Sequence, residues 1–521
     1  MRIPAPCASP ATRKLRLAAL CAQLGLAAAP ALAQQPAVSI VPSVRLTETV
    51  TDNASLGHNA SGTEWITQIY PSVRLNAQGG RVSGNLTVGV NSSMYANGSL
   101  PDSNQMLLNG MGKVTVWDNH AYVDLIGSIS RQPTYAFTPL AGDTVTGTTH
   151  MSEVRIFSIS PTLKGRFANT GTLEARYSMT QTDSDSSALA RSLTNVLSLT
   201  ASDPYAWGRA GWSLNFRDSH TERDNQRSLD LQTTRFTGII NFDPQVTMRL
   251  IAGAESNNYA SSAYRNSTIY GVGADWYPTQ RTTLNGTIEN RFFGTGYLFS
   301  ANHRTGMLTL LGSFSKDASS TSQSVLGAVT LYDLLMLQYA AQYPDVAERS
   351  AFVQKLINAN FTGLGGAVLG AQSVLSNGFY LDRRAQLGVT YTGVRNSVSL
   401  IGFQSQRDTL TETSFALTGT STTNSSVSST GATISGQHKL TAITSAHLSL
   451  TGVRSRADQS TVGGTGVVTG PLDSRTRMIM AGLSTSLTKK ATASLNYRNN
   501  HGSGANSYTE NALIGSVAIQ F

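Results

Sequence analysis

The chain has 521 residues, of which 13% are charged and 40% hydrophobic, with a formal net charge of +9 and a mean hydropathy of −0.13. A typical soluble domain carries about twice this share of charged residues, whereas a helical membrane protein is far more apolar and contains clean apolar runs of about 20 residues, which this chain lacks. A transmembrane β-barrel explains both values, because residues facing lipid alternate with residues facing water and the two sets cancel in the average.

The N-terminus has the features of an export signal. Four basic residues precede the apolar run 17–29, and Ala31-Leu32-Ala33 is typical of a cleavage site. We expect residues 1–33 to be removed, which lowers the net charge from +9 to +5. Both cysteines, Cys7 and Cys21, lie in this segment, so the predicted mature chain, 34–521, has no disulfide, thiol nucleophile or thiolate metal ligand. Its mild positive charge does not indicate a nucleic-acid partner.

Alternation of apolar and polar residues recurs along the mature chain and is clearest in 173–180, 209–216 and 282–289. The polar positions include the charged residues that we predict to face the lumen, namely Glu174, Arg176, Arg209, Arg217, Glu289 and Arg291. An arginine facing lipid at the midplane costs about 2 to 4 kcal/mol. We therefore expect Arg291 to point inward and to pair with Glu289 or with a neighbouring strand.

Short and long turn signals largely alternate between these segments. Asp243-Pro244 is typical of the short ones, whereas 132–150 and 218–228 are long and polar. Barrels of the outer membrane have short periplasmic turns and long external loops. The segments predict an all-β fold, a transmembrane antiparallel β-barrel of about 22 strands with both termini in the periplasm.

One region departs from the two-residue period. Ser324 to Ala359 has helical spacing, and we predict a short helical insert within a long loop, 318–377. Such an insert could cap the barrel, plug its lumen, or pack on itself without any gating role.

The last strand carries the signal for barrel closure. Its outward apolar row ends in an aromatic residue and comprises Leu513, Val517, Ile519 and Phe521. We expect it to pair with 43–52 and so to remove the sheet edge. The predicted partners are outer-membrane lipid and the barrel assembly machinery.

Motifs for catalysis are scarce. The eight histidines fall mostly in turns and loops, without a paired zinc motif or a phosphate-binding loop. Asp218, His220 and Glu222 form a local cluster, which we interpret as part of a polar external loop. We predict no catalytic residue, no metal and no cofactor, and we expect the protein not to be an enzyme.

Several motifs carry a resemblance to a known family. The block Arg291-Phe292-Phe293-Gly294 followed by His303-Arg304-Thr305 resembles the outer-membrane β-barrels associated with PEP-CTERM/exosortase systems and exopolysaccharide loci. Weaker matches at 49–53, 158–161 and 342–345 run in the same order. The resemblance implies an outer-membrane barrel linked to surface polysaccharide and protein sorting, with no established catalytic activity.

Three classes of function remain open on the sequence. The first is a channel or assembly component for exopolysaccharide export, with a lumen of hydroxyl, amide and charged groups. The second is a structural or binding barrel that is sealed by its insert and holds surface matrix or sorting partners. The third, with the least support, is a membrane-embedded hydrolase.

Overall fold

The computed structural model describes residues 38–58, 62–133, 137–139, 143, 145–147, 151–168, 170–185, 191–259, 262–319, 335–336, 339, 349, 352–353, 379–410, 422–423, 426–457, 460–462, 467–469, 472–505 and 507–521. The predicted signal, residues 1–33, lies outside these residues. So does most of the predicted helical insert, of which only 335–336, 349 and 352–353 are described as helical.

The described chain consists almost entirely of β-strands. In order they are β1 (Val38–Thr51), β2 (Glu64–Gln78), β3 (Val82–Tyr95), β4 (Ser103–Trp117), β5 (Ala121–Pro133), β6 (Met151–Phe167), β7 (Gly171–Ser184), β8 (Ser192–Trp207), β9 (Ala210–Arg223), β10 (Gln226–Asp243), β11 (Val246–Asn257), β12 (Arg265–Thr279), β13 (Thr282–Arg291), β14 (Gly294–Arg304), β15 (Leu308–Ser319), β16 (Tyr380–Thr392), β17 (Asn396–Thr409), β18 (Thr422–Thr423), β19 (Ser426–Lys439), β20 (Thr444–Ala457), β21 (Ser460–Val462), β22 (Val467–Thr469), β23 (Leu472–Ser486), β24 (Ala491–Gly504) and β25 (Tyr508–Gln520).

Twenty-two of these strands form one closed antiparallel sheet. Each pairs with the next in the chain, and β1 pairs with β25, from Ser43 opposite Gln520 to Thr51 opposite Ala512. The short strands β18, β21 and β22 form a separate sheet in two of the connections. The predicted strand number and closure are therefore confirmed.

The outer face of the barrel is apolar. In β25 the predicted outward row is confirmed, since Leu513, Val517, Ile519 and Phe521 are all exposed while Ile514 and Ser516 between them are buried. At the end that carries the short turns, exposed aromatic side chains form a ring of the kind found where a barrel meets the lipid headgroups. Its members are Trp117, Phe167, Trp207, Phe242, Trp276, Tyr391 and Phe521.

The two ends of the barrel differ in their connections. At the end that holds the termini, every connection between barrel strands has two to four residues. At the other end, which we call the external end, several connections are much longer, although three there, β9 to β10, β13 to β14 and β24 to β25, have only two or three residues. One of them corrects a prediction: 218–228 is not a long loop, because β9 and β10 continue to a turn at Asp224 and Asn225, where Asn225 has a φ of +57°.

Candidate functional site in the barrel lumen

The inward positions of the barrel wall are predominantly polar, and two predicted lumen residues lie there in ion pairs. Glu174 shares its face of β7 with Arg176, opposite the lipid-facing Leu173 and Tyr177. The carboxylate of Glu174 is 2.9 Å from Lys164 on β6. Arg176 donates to Asp124 on β5 at 2.9 Å. These neighbouring strands thus neutralise much of their own charge.

Of the two predicted lumen arginines on or near β9, Arg217 faces the lumen and Arg209 does not. Arg217 has the inward parity of β9 and is exposed, and within the described residues no ion pair of its guanidinium is found. It therefore presents a positive charge to the lumen. Arg209 was predicted to share that face, but it is an exposed residue of the turn that precedes β9. The alternation in the sequence runs one residue beyond the strand, so Arg209 does not line the wall.

Arg291 lies in an ion-pair network that includes Glu289 and is larger than the sequence indicated. Arg291 is 7% exposed and donates to Glu255 on β11 at 2.8 Å and to Glu289 at 3.2 Å. Its guanidinium is also 3.4 Å from Asp317 on β15. Arg235 on β10 donates to Glu289 at 2.7 Å. Five charged groups from β10, β11, β13 and β15 therefore meet on the inner wall.

Sequence reasoning missed Arg235, Glu255 and Asp317 in this network. Each has the inward parity of its strand, so alternation could have selected it as a wall residue. Alternation alone does not give the height of a residue along the barrel, and the partners of Arg291 lie up to 36 residues away along the chain, in the case of Glu255. Only the register between strands brings these residues to one level.

An aromatic cluster lies beside this charged network at the external end. Tyr259 stacks on Phe379 with ring centroids 4.5 Å apart and meets the edge of Phe292 at 5.8 Å. Leu229 completes the buried part. Phe292 and Phe293 are themselves the two-residue turn between β13 and β14, and Gly294 follows with a φ of +87°, a conformation that favours glycine. The glycines of 294–296 predict a tight turn there, and the structure places the turn two residues earlier in the chain.

His303 and Arg304, from the second part of the block that carries the resemblance, lie at the opposite end of the barrel. His303 is outward on β14, and its Nδ1 is 2.8 Å from the hydroxyl of Thr282. Arg304 ends the strand and is linked through its backbone amide to Arg281 at 3.0 Å. Arg291 and His303 are therefore on different faces and at different ends, and the block does not form one site.

The described residues of the connection between β5 and β6, which are 137–139, 143 and 145–147, include several that contact the inner wall. Asp143 in this connection accepts from Arg498 of β24 at 2.5 Å, and Arg498 also binds Glu510 of β25 at 2.5 Å. Arg498 and Glu510 are both fully buried. Thr51 of β1 donates to Glu510 at 3.1 Å. The connection is thus attached to the inner wall where the first and last strands meet.

Apolar contacts hold the same connection at two further places. Val145 is buried against Ile66 and Tyr95, and the hydroxyl of Tyr95 donates to the Val145 carbonyl at 2.8 Å. Phe137 is buried with Val427 and Ala457 on the inner side of β19 and β20. The described residues of the connection therefore reach from β2 and β3 to β20, which narrows the external part of the lumen.

The carboxyl of Asp143 is stabilised as an anion by these contacts. Burial opposes its ionisation, but the charge of Arg498 and hydrogen bonds from Thr146 outweigh burial and lower the pKa of Asp143 below its usual value. The attachment is therefore strongest when this group is charged.

Described residues from the predicted insert also contact the inner wall. Leu335 and Val353 are buried together, with Met336, Tyr339, Phe352 and Ile401 packed against them. Ile401 has the inward parity of β17, since Val398 and Leu400 are exposed to lipid. Thr433, directly opposite Ile401 on β19, is 1% exposed, so the wall is covered at this level.

Other features of the described residues carry less information. Asp218, His220 and Glu222 were interpreted as part of an external loop, but they lie on β9 with the outward parity, because the strand continues to Arg223; Nδ1 of His220 is 2.5 Å from a carboxylate oxygen of Asp230. No group of three or more His, Cys, Asp or Glu suited to a metal ion is found among the described residues. Within the same residues, no helix is long and apolar enough to cross a membrane.

No protein-family model matches the chain, and no curated protein matches it in sequence. Among solved structures, a mutant of the ferric enterobactin receptor PfeA of Pseudomonas aeruginosa is 10% identical with a TM-score of 0.43, covering 93% of this chain and 80% of the receptor. The FrpB iron transporter of Neisseria meningitidis is 10% identical with a TM-score of 0.46, covering 92% and 82%. A loop-deletion mutant of OmpT, an outer-membrane protein of Vibrio cholerae, is 8% identical with a TM-score of 0.31, covering 93% and 100%.

These likenesses are too distant to assign a function. The fold itself determines the compartment. A closed antiparallel barrel satisfies its backbone hydrogen bonds within the sheet, and this one presents an apolar outer band and an aromatic ring to lipid. The protein is an outer-membrane β-barrel in contact with membrane lipid.

Proposed function

We propose that this barrel is a channel for hydrophilic solutes, narrowed by chain segments that fold into its lumen. The observation that carries the proposal is the contrast between its two faces, with apolar side chains outside and hydroxyl, amide and charged groups inside. A barrel of 22 strands is wide enough to enclose a channel around inward-folded segments. A purely structural anchor in the membrane has no need of a polar inner wall.

The chemistry of the wall favours a sugar-like solute. Cross-strand pairs of hydroxyl groups line the lumen at several levels, and they include Ser152 with Ser184, Thr172 with Ser202, Ser429 with Ser455, and Ser494 with Ser516. Hydroxyl groups can exchange hydrogen bonds with a passing polysaccharide. Arg217 adds a positive charge that suits an acidic polymer.

The proposed solute is an exopolysaccharide, and the proposed context is a PEP-CTERM/exosortase system. The sequence resemblance in Arg291 to Gly294 and His303 to Thr305 supports this context, and the hydroxyl-rich wall is compatible with it. The same resemblance supports a role as an assembly component beside the export machinery.

Conductance in planar bilayers tests the channel directly. The refolded protein is expected to give discrete current steps, with a reversal potential that indicates preference for anions. Arg217→Glu should shift that preference towards cations, because it replaces an exposed lumen cation by an anion. Arg155→Glu is the matched control on the outer wall. An absence of current, in both the intact protein and a variant lacking 324–366, contradicts the proposal.

A sealed structural or binding barrel is the second candidate. The observation that favours it is the cluster of Leu335 and Val353 against Ile401 on the covered inner wall. It predicts that the intact protein carries no current and that the variant lacking 324–366 does.

A further inference from the structure

Four arginines form a basic surface on the outside of the barrel at its external end. They are Arg454 and Arg456 on β20 and Arg475 and Arg477 on β23, and we call them the arginine patch. Their strands place them outward, since Leu448 and Leu450 share the parity of Arg454, and Ile479 and Leu483 that of Arg477. The patch therefore faces the membrane environment and not the lumen.

The height of the patch follows from the strand register. Arg477 lies two residues beyond the lipid-facing Ile479, and Arg475 lies two residues beyond Arg477 in the same direction. At about 3.4 Å per residue along strands that are tilted by about 35 to 45°, the patch lies roughly 5 to 11 Å above the apolar band. That is the zone of the lipid headgroups in the outer leaflet.

The charge of the patch is poorly compensated. Asp473 is its single carboxylate neighbour among the described residues; it accepts from Nε of Arg454 at 3.0 Å and also from Nη2 of Arg454. The same carboxylate is 3.6 Å from Arg456 and 3.8 Å from Arg475. Arg477 is exposed, and no carboxylate contact of its guanidinium is found in the described part of the chain.

The pairing of β20 with β23 holds these charges together. Arg454 is directly opposite Arg475 in the ladder, and His501 of β24 is directly opposite Arg477. Like charges at directly opposite positions destabilise a sheet unless a counter-ion joins them. One aspartate shared by three arginines leaves a net positive surface that can accept further anionic oxygens.

We propose that the arginine patch binds the phosphate groups of the glycolipid in the outer leaflet, of the lipopolysaccharide type. Guanidinium groups bind phosphate oxygens with two parallel N–H donors, which gives strong and oriented contacts. Several arginines at headgroup height form a binding site for an anionic lipid headgroup. The acyl chains of the same lipid would lie along Leu450 and Ile479 directly below.

The opposite wall provides a contrast on the same molecule. Arg155 on β6 is also outward, but it is surrounded by Glu153, Asp183 and Asp185 at 2.6, 3.9 and 2.9 Å. Three carboxylates around one arginine give a net negative surface. Direct phosphate binding is therefore expected on the β20 to β23 side and not there.

The proposal is tested by titrating the refolded, full-length mature barrel in detergent with purified bisphosphorylated lipid A. Native mass spectrometry measures the bound lipid, and the temperature of unfolding measures the stabilisation. The double variant Arg475→Gln with Arg477→Gln should lose at least about tenfold in apparent affinity, since two charge-assisted contacts are removed. Lipid A without its phosphate groups should bind the unaltered protein weakly. Its affinity should equal that of bisphosphorylated lipid A for the double variant.

The matched control is Arg81→Gln with Arg281→Gln, which removes the same charge from exposed turns at the periplasmic end. This control should titrate like the intact protein. If the double variant folds poorly, Arg477→Gln alone serves in its place, because no ion pair of Arg477 is found among the described residues. Equal affinity of the patch variant and the intact protein, equal loss in the control, or equal binding of the phosphate-free lipid would each overturn the proposal.

Discussion

Arg498 of β24 and Asp143 of the β5 to β6 connection are joined by a hydrogen bond of 2.5 Å although 355 residues separate them in the chain. Arg498 also binds Glu510, so one buried cation is shared by two acidic groups. This contact attaches an external connection to the inner wall beside the closure of the barrel. It therefore links the shape of the lumen to the stability of the sheet.

Removal of the buried cation is expected to destabilise the barrel. Arg498→Met leaves Asp143 and Glu510 without their counter-ion in a buried place, which costs about 3 to 5 kcal/mol. Urea unfolding of the refolded protein in lipid measures the loss. The control is Arg155→Met, because Arg155 also forms ion pairs but its side chain is 38% exposed. This variant should lower the free energy of unfolding by at most about 1 kcal/mol. A similar small loss for both variants would show that the buried network is not a stabilising element.

Neutralisation of Asp143 is expected to loosen the connection from the wall. Asp143→Asn keeps the shape of the side chain and leaves Arg498 bound to Glu510, so the barrel should stay closed while the lumen widens. Single-channel conductance should increase. Asp183→Asn, on the outer wall, should leave the conductance unchanged, and an unchanged conductance in Asp143→Asn would contradict the assigned role of the connection.

The same contact predicts a response to acid. The pKa of Asp143 is lowered in the folded protein, so its contribution to stability is present above the unfolded value of about 3.9 and is lost as the pH falls through the lower folded value. Conductance should therefore increase only below about pH 3.9. Conductance measured from pH 2.5 to 7 in steps of roughly half a pH unit tests this prediction. In Asp143→Asn the increase in conductance that comes from protonation of Asp143 should be absent.

Cross-linking tests whether Val353 of the predicted insert lies beside Ile401 on the inner wall. The predicted mature chain has no cysteine, so cysteines placed at 401 and 353 can be joined by a short bifunctional reagent without interference. We expect efficient linkage, seen as a shift in gel mobility after proteolysis between the sites. Leu400→Cys is the control, because Leu400 faces lipid on the same strand; linkage from 400 but not from 401 would reverse the assignment of the inner face.

The two faces of the wall should respond differently to the same substitution. Leu250 on β11 and Leu298 on β14 are 58% and 57% exposed, but Leu250 faces lipid and Leu298 the lumen. Leu250→Arg should destabilise the barrel by about 2 to 4 kcal/mol, because a charge enters the lipid. Leu298→Arg should cost little. Unfolding in lipid vesicles compares the two, and equal losses would argue against the assigned faces.

The sequence by itself determined the class of fold and the two faces of the wall. A strand side chain changes face at every residue, so the alternation of Leu173 with Glu174 or of Ile288 with Glu289 is local information that needs no partner. The terminal row ending in Phe521 was readable for the same reason, as was the number of strands from the spacing of turns.

Only the tertiary structure decided which charges meet and what enters the lumen. The contact of Arg291 with Glu255 depends on the register of β11, β12 and β13, and that of Arg498 with Asp143 depends on where a long connection folds after closure. Arg209 shows the limit of this local information, because the alternating pattern continues into the turn before β9, where residues do not line the barrel wall. Alternation fixes the direction of a side chain, whereas register, closure and loop packing fix its neighbours, and these are properties of residues far apart in the chain.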